Sequence, residues 1–356
     1  MQRGVSRSGY NHHVRRRLAV VAAALQDPGD ALLQDFVCAA SPASTEQANR
    51  FVVSVPSSTG GPEQKVTVVL PPALTRTGTA AVNLEPLPLV VSLHTWGGDY
   101  LQKDNEDLAE HAPRLGWIYI FPDFQGPNKR PEACGSELVQ HNVLEAVEWA
   151  RATYPVDEKR IYLTGTSGGG HLTLLMAAKY PEIWAAACAF VGISDLARWH
   201  DKHAEDQYGA DTRLCTGGAP GESEAIDAEY RARSPLTFLG NPKLAEVNLP
   251  LDILAGIFDG HTGSVDIRHS IDAFNAVAKT AGAPTVTEAE IKELSDGNGF
   301  GRLSSKQAAD CEEDAALGRE IHLRRTAGRS RLTIFEGGHE GIGTAAIDWL
   351  QRHAKE

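Results

Sequence analysis

Cysteine is scarce: five in 356 residues, with no Cys-x-x-Cys pair and no Cys/His spacing of a metal site. That argues against a zinc-held or disulfide-dense scaffold. The fold must rest on its hydrophobic core, and 42% hydrophobic residues suffice for a sizeable one. Positive charge is also in the minority, 34 Lys and Arg against 46 Asp and Glu, for a net charge of −12. An acidic surface repels phosphate backbones and anionic headgroups, so nucleic acid and anionic membrane are not expected partners. Long apolar runs are missing as well. The run Leu18–Leu25 is too short to span a bilayer and no later run is long enough, so no stable membrane insertion is expected.

One local absence stands out. No carboxylate precedes Asp27, whereas Arg3, Arg7, Arg15, Arg16 and Arg17 do. Arginines, an apolar run and the small pair Ala22-x-Ala24 follow the order of a secretory signal. An amphipathic helix on a cytoplasmic protein is the alternative; export, to the periplasm or beyond, is the favoured expectation. Residues 1–26 are then a leader and 27–356 one domain, with no internal repeat and no second compact unit. Cys188, in the apolar run Ala185–Phe190, is expected as a buried thiol. Cys38, Cys134, Cys215 and Cys311 lie in loop-like sequence and in an oxidising compartment can form up to two bridges.

What is present is an alternation of strands and helices. A short helix is expected over Asp27–Phe36, then strands Arg50–Pro56 and Gln64–Leu70 as an antiparallel edge joined by a Ser/Gly-rich loop. Leu87–His94 is a nearly continuous apolar run, as a strand covered on both faces requires. A helix Asp104–Leu115, a strand Trp117–Phe121, a Pro/Gly-rich loop and a helix from Glu137 to about Tyr154 follow. Further strands are expected at Arg160–Gly165, Ala185–Val191 and Pro250–Phe258, and a hairpin at Glu320–Arg325 and Arg331–Phe335. A terminal helix carries Ile342, Ala346, Trp349 and Leu350. This pattern implies an α/β fold with a mostly parallel sheet and helices on both faces. Two stretches interrupt it. Residues 193–249 are polar and loop-rich and are expected as a lid or pocket wall; residues 283–318 form a second insertion, opened by the capping box Thr287-x-x-Glu290.

The organising stretch is Arg160–Leu172, a strand, then Gly165-x-Ser167-x-Gly169, then a helix with Leu172, Leu175 and Met176 at helical spacing. In this nucleophile-elbow pattern a strained turn lifts the serine hydroxyl off the sheet edge, and the flanking positions must lack side chains. Chemistry in parallel sheets gathers at the carboxyl ends of the strands. Four polar clusters fall there: His94-Thr95-Trp96, Ser167, Asp259 and His339. A serine needs a base to take its proton, and the base needs a carboxylate to hold its tautomer. The chain order Ser167, Asp259, His339 is the nucleophile–acid–base order of α/β-hydrolases. Asp266 is an alternative acid, disfavoured by its distance from the strand end, and His261 is read as shaping the acid loop. Gly168 is expected to give one oxyanion N–H, and Trp96 or Thr95 the other. His94, Trp199 and His200 are candidate pocket residues. No metal or cofactor is expected.

Over roughly residues 60–354 the chain resembles the α/β-hydrolase superfamily, and within it the catalytic domain of the prolyl oligopeptidase family and its related esterases. The likeness rests on Tyr154-Pro155-Val156-Asp157 leading to Arg160–Gly170, on Ser234-Pro235-Leu236, on the run Val265–Ser270, and on Gly338-His339. It departs in His94-Thr95-Trp96, where many relatives have His-Gly, and in Asp266, where Pro is common. The resemblance implies a serine hydrolase with Ser167, Asp259 and His339 as triad. Peptidases of that family carry a β-propeller before the hydrolase domain. About fifty residues precede the first strand here, too few for such blades, so the expectation is an ester, on acylated carbohydrate or another carboxylic ester. A peptidase is the alternative, and a catalytically silent binding protein a third reading.

Overall fold

The computed structural model describes residues 49–58, 62–76, 84–103, 106–299, 301–303 and 314–356. The leader, the helix expected at Asp27–Phe36, Cys38, Cys311 and the middle of the stretch between Asp296 and Gly318 lie outside the described residues.

Nine strands form one sheet in the order β1-β2-β4-β3-β5-β6-β7-β9-β8. In chain order these are β1 (Asn49–Val55), β2 (Gln64–Leu70), β3 (Leu87–Leu93), β4 (Ile118–Pro122), β5 (Val156–Thr166), β6 (Ala186–Phe190), β7 (Leu251–Gly256), β8 (Ile321–Ala327) and β9 (Ser330–Phe335). From β4 to β9 every neighbouring pair is parallel; β1, β2 and β8 are antiparallel to their neighbours. The edge strand β1 buries Phe51 and Val55 and exposes Val52, the alternation of a half-covered sheet. By contrast β4, β6 and β7 are buried along their whole length, as continuous apolar runs predict.

Helices α1 (Glu106–Arg114), α2 (Glu137–Thr153) and α3 (Gly168–Lys179) follow β3, β4 and β5. Ser136 caps α2 by accepting the Val139 N–H, and Val139, Val143, Val147 and Ala150 form its buried stripe. Next come α9 (Ile267–Thr280), α10 (Glu288–Ser295) and the terminal α11 (Gly343–Gln351), with α4–α8 in between, described below. The capping box of α10 forms as read: Thr287 Oγ1 accepts the Glu290 N–H, and the Glu290 carboxylate accepts the Thr287 N–H. Helices α1 and α11 pack on each other, while α3 and α9 lie against β5, β6 and β7 in a second layer.

Three expectations differ in detail. The serine strand begins at Val156, where the sequence reads as a turn, because Val156 pairs with Leu87 before a bulge. The β8–β9 hairpin closes on Gly328-Arg329 alone. Gly328 takes φ 58°, which lets Thr326 and Ala327 stay in the ladder. The polar stretch after β6 is helical rather than loop-rich: α4 (Leu196–Lys202), α5 (Gln207–Thr216), α6 (Glu224–Arg233), α7 (Leu236–Leu239) and α8 (Pro242–Val247). Each has too few turns to show a hydrophobic period. The caps Asp195, Asp206, Ser223 and Asn241, which accept first-turn N–H groups, were the readable signal. Of these, α4, α5 and α6 gather around a small separate cluster of Trp96, Cys134, Ile193, Leu196, Trp199, Cys215, Tyr230 and Val265, whereas Leu239 of α7 and Leu244 of α8 join the main core. Cys134, on the loop before α2, and Cys215, in α5 rather than a loop, are both buried thiols, and Cys188 is buried as expected.

Candidate active site

The elbow after β5 is built by close backbone contact. A Cβ on Gly169 would lie 2.2 Å from the Leu93 carbonyl oxygen, so any side chain there would push α3 off β3. Between strand and helix, Ser167 adopts φ 60° and ψ −116°, a conformation that strains a residue with a Cβ by about 1–3 kcal/mol. Its N–H donates to Phe190 O at 3.0 Å, which ties the turn to β6.

The other two groups arrive on loops that zip together. Beyond β7 and β9, Ile257 N–H donates to Phe335 O at 2.8 Å and Phe258 N–H to Gly337 O at 3.0 Å. That pairing extends the parallel ladder past the strand ends and sets the loop of Asp259 beside that of His339. His339 Nδ1 lies 2.7 Å from Asp259 Oδ2, and His339 Nε2 lies 2.8 Å from Ser167 Oγ. The Asp259 side chain is fully buried and its Oδ1 accepts N–H bonds from Gly260 (2.9 Å) and Val265 (3.1 Å). So held, the carboxylate accepts the Nδ1 proton and leaves Nε2 as acceptor for the serine hydroxyl. Asp266 is elsewhere: it pairs with Lys202 Nζ at 2.7 Å on the flank of the loop. Asp252 is strand-internal and fully buried, bound by Arg331 at 3.0 and 2.5 Å. His261 is exposed.

The loop after β3 approaches the elbow so closely that a Cβ on Gly168 would sit 2.4 Å from Trp96 N. Thr95 lines the same cleft, but its N–H donates to Gln102 Oε1 at 2.9 Å. That corrects the choice left open between the two residues: Trp96, not Thr95, has its amide against Gly168. Trp96 is held on both sides, its carbonyl accepting Asn128 N–H at 2.9 Å and its Nε1–H donating to Asp211 Oδ2 at 3.3 Å.

The three expected pocket residues do not line the cleft. His94 is fully buried, stacked on Phe124 at 3.8 Å, with ring nitrogens 2.8 Å from the Thr95 and Asp123 carbonyls; burial lowers its pKa. Trp199 is also fully buried, 4.6 Å from the Trp96 ring, and donates to Ser264 O at 3.0 Å. His200 is buried against Asp201 and Arg213. All three act as backing for the walls, because an aromatic ring beside a strand end finds more contact beneath the loops than above them. The cleft itself, about 360 Å³, is walled by Trp96, Ser167, Tyr208, His339 and Glu340, with Thr166 below. Sequence reading missed Gln102, Tyr208, Asp211 and Glu340. Tyr208 and Asp211 share a face of α5 at i, i+3, a pairing legible only once that stretch is known to be a helix.

Two further histidines sit behind the site. Burial drives His171, one turn along α3 from Ser167, down to about 4, and its Nε2 lies 2.7 Å from Arg233 O. Burial, then the charges of Arg198 and Lys202, drive His269 down to about 3. Both are neutral at pH 7. No group of His, Cys, Asp and Glu able to hold a metal occurs among the described residues.

Sheet, elbow and three-residue relay define an α/β-hydrolase fold with a serine–histidine–aspartate constellation. Residues 115–286 match the model of the prolyl oligopeptidase family, and the chain is similar to that family's catalytic domain and to esterases. Acetylxylan esterase A of Emericella nidulans is 30% identical over 107 residues, 28% of this chain and 35% of that protein. Feruloyl esterase B of Talaromyces funiculosus is 28% identical over 113 residues, 30% of this chain and 32% of that protein. The matched stretch therefore spans about a third of these relatives. Among solved structures, the acylaminoacyl peptidase of Pyrococcus horikoshii matches with a TM-score of 0.51 at 17% identity, over 65% of this chain and 35% of that one. An acylaminoacyl peptidase bound to Z-Gly-Gly-Phe-chloromethyl ketone matches at 0.52 and 17%, over 70% and 38%. At such identities the likeness is one of fold.

Proposed function

We propose that this chain is a serine hydrolase that cleaves carboxylic esters through an acyl-enzyme, with acylated carbohydrate as its substrate class. The observation that carries the reading is the relay of 2.8 Å and 2.7 Å from Ser167 through His339 to Asp259, opening on one cleft. Ser167 Oγ attacks the ester carbonyl carbon while His339 Nε2 takes its proton, and Asp259 steadies the imidazolium. The oxyanion is received by the Trp96 and Gly168 N–H groups. Collapse expels the alcohol, protonated by His339. Water, deprotonated by the same imidazole, then releases the acid. The names of the acetylxylan and feruloyl esterases support the substrate class. Tyr208, a ring at the cleft wall, supports it as a stacking surface for a sugar.

Two further parts belong to this reading. Residues 193–249 act as a lid over the strand ends, and the arginine-led leader directs export. Among the described residues no helix is long and apolar enough to cross a membrane. The prolyl oligopeptidase model favours peptides as the second reading. Fluorophosphonate labelling, then turnover of a short-chain nitrophenyl ester, acetylated and feruloylated oligosaccharides and proline-containing peptides, separates the cases. Ester turnover lost by at least about 10⁴-fold in Ser167→Ala is the expected result. Full ester turnover in that variant, or cleavage of peptides alone, would sink the ester reading.

A further inference from the structure

Two thiols from distant parts of the chain meet behind the oxyanion wall. Cys134 ends the strained loop after β4, at φ 57°, and Cys215 lies in the last turn of α5. Both are buried, at 0% and 1% exposure, within the cluster that also holds Trp96 and Trp199. The Cys134 and Cys215 thiols are neighbouring groups within that cluster. Arg233 and Asp211 are the charged groups near Cys134, and both sulfurs are free thiols.

We propose that Cys134 and Cys215 are a disulfide site, bridged when the chain folds in the presence of a low-molecular-weight disulfide. One thiolate attacks the small disulfide, forming a mixed disulfide and expelling one small thiol. The second cysteine then attacks the protein sulfur of that adduct, forming the Cys134–Cys215 bond and expelling the other. Two protein thiols lose two hydrogens and one small disulfide gains them. Since both sulfurs are shielded in the folded protein, the exchange belongs to folding, and once made the bond is shielded from reduction.

The bridge would act on the site through α5. That helix carries Tyr208 to the cleft and Asp211 to the Trp96 indole, and Cys215 stands one turn beyond Asp211. Cys134 sits on a loop already fastened to the same region, its N–H donating to Asn128 Oδ1 at 2.6 Å, while Asn128 N–H donates to the Trp96 carbonyl. A covalent link therefore clamps the helical segment to the loop that holds the oxyanion donor. It stands whatever bond the site cleaves.

The test is a peptide map. The full chain is refolded from denaturant with a mixture of oxidised and reduced glutathione, or with excess dithiothreitol; free thiols are then alkylated and the protein digested. A peptide pair joining Cys134 to Cys215, two hydrogens lighter than the dithiol pair and absent after dithiothreitol, is expected. Closing a loop of about eighty residues should raise Tm by about 5–10 °C over the reduced protein. Cys215→Ala and Cys134→Ala should each abolish that rise, and Cys188→Ala should keep it. Should an alanine variant fail to fold, the map of the unaltered chain decides alone. Alkylation of both cysteines after oxidative refolding, or bridging of either one only to glutathione or to another cysteine, would overturn the proposal.

Discussion

The cleft has two kinds of wall, and they are held by different physics. Ser167, Asp259 and His339 stand on loops just past β5, β7 and β9, where backbone hydrogen bonds continue the sheet and glycine contacts exclude any looser arrangement. Tyr208 and Asp211 stand on α5, in a helical segment that packs around its own small cluster rather than the main core. The first wall inherits the rigidity of a nine-stranded sheet; the second has only short capped helices and one aromatic knot. On the proposed function, reacting groups thus sit where backbone geometry is over-determined, and the cleft-lining Tyr208 stands on the less constrained wall.

The largest expected effect lies on the rigid wall. Asp259→Asn should lower ester turnover by about 10³–10⁴-fold with Tm unchanged, whereas Asp266→Asn, in the same loop but paired with Lys202, should leave turnover within about twofold. Equal losses in the two variants, read from kcat, would erase the distinction drawn between them. The sheet itself is broken next. Asp252→Ala strands the Arg331 guanidinium, which Asp252 binds at 3.0 and 2.5 Å inside the β7–β9 pair. Urea denaturation should show a loss of about 3–5 kcal/mol, with kcat retained at temperatures where the protein is folded.

Acid should loosen the region behind the cleft. His171 and His269 fall to about 4 and about 3 in the folded chain, against about 6.5 unfolded. Below pH 6.5 the unfolded chain binds protons that the folded chain refuses. Their contribution is therefore complete above pH 6.5 and is lost as pH falls toward 4. Urea midpoints measured from pH 7 to 4.5 should fall steadily; a flat profile would remove these histidines from the account. Smaller effects belong to the outer wall. Gln102→Ala frees the Thr95 amide and loosens the Trp96 loop, for an expected five- to tenfold drop in kcat, roughly 1 kcal/mol. Tyr208→Ala should raise KM for an acylated oligosaccharide about fivefold and barely alter a nitrophenyl acetate assay, a split that separates stacking from chemistry.

Which parts were legible beforehand follows the same division. Continuous apolar runs announced β3, β4, β6 and β7, since a strand buried on both faces has no polar face to show. Gly165-x-Ser167-x-Gly169 announced the elbow, because a Cβ at Gly169 would lie 2.2 Å from the Leu93 carbonyl oxygen. The helices between residues 196 and 247 read as loop in the sequence: with four to ten residues each they show little hydrophobic period, and polar caps mark four of the five. His94 at a strand end, and Trp199 and His200 in the stretch read as a lid or pocket wall, are the expected pocket residues, and all three turn beneath it.

Taken alone, the order of residues along the chain specified an alternating α/β sheet, a serine on a strained turn, and an acid and a base at later strand ends, because periodicity and glycine spacing are local properties. Choosing Trp96 over Thr95 as the amide beside Gly168 needed Gln102 folded back onto Thr95 N–H. Rejecting Asp266 needed Lys202, brought from another helix, to claim it. Contacts of that kind join residues with no fixed separation along the chain, so nothing short of the packed molecule could assign them.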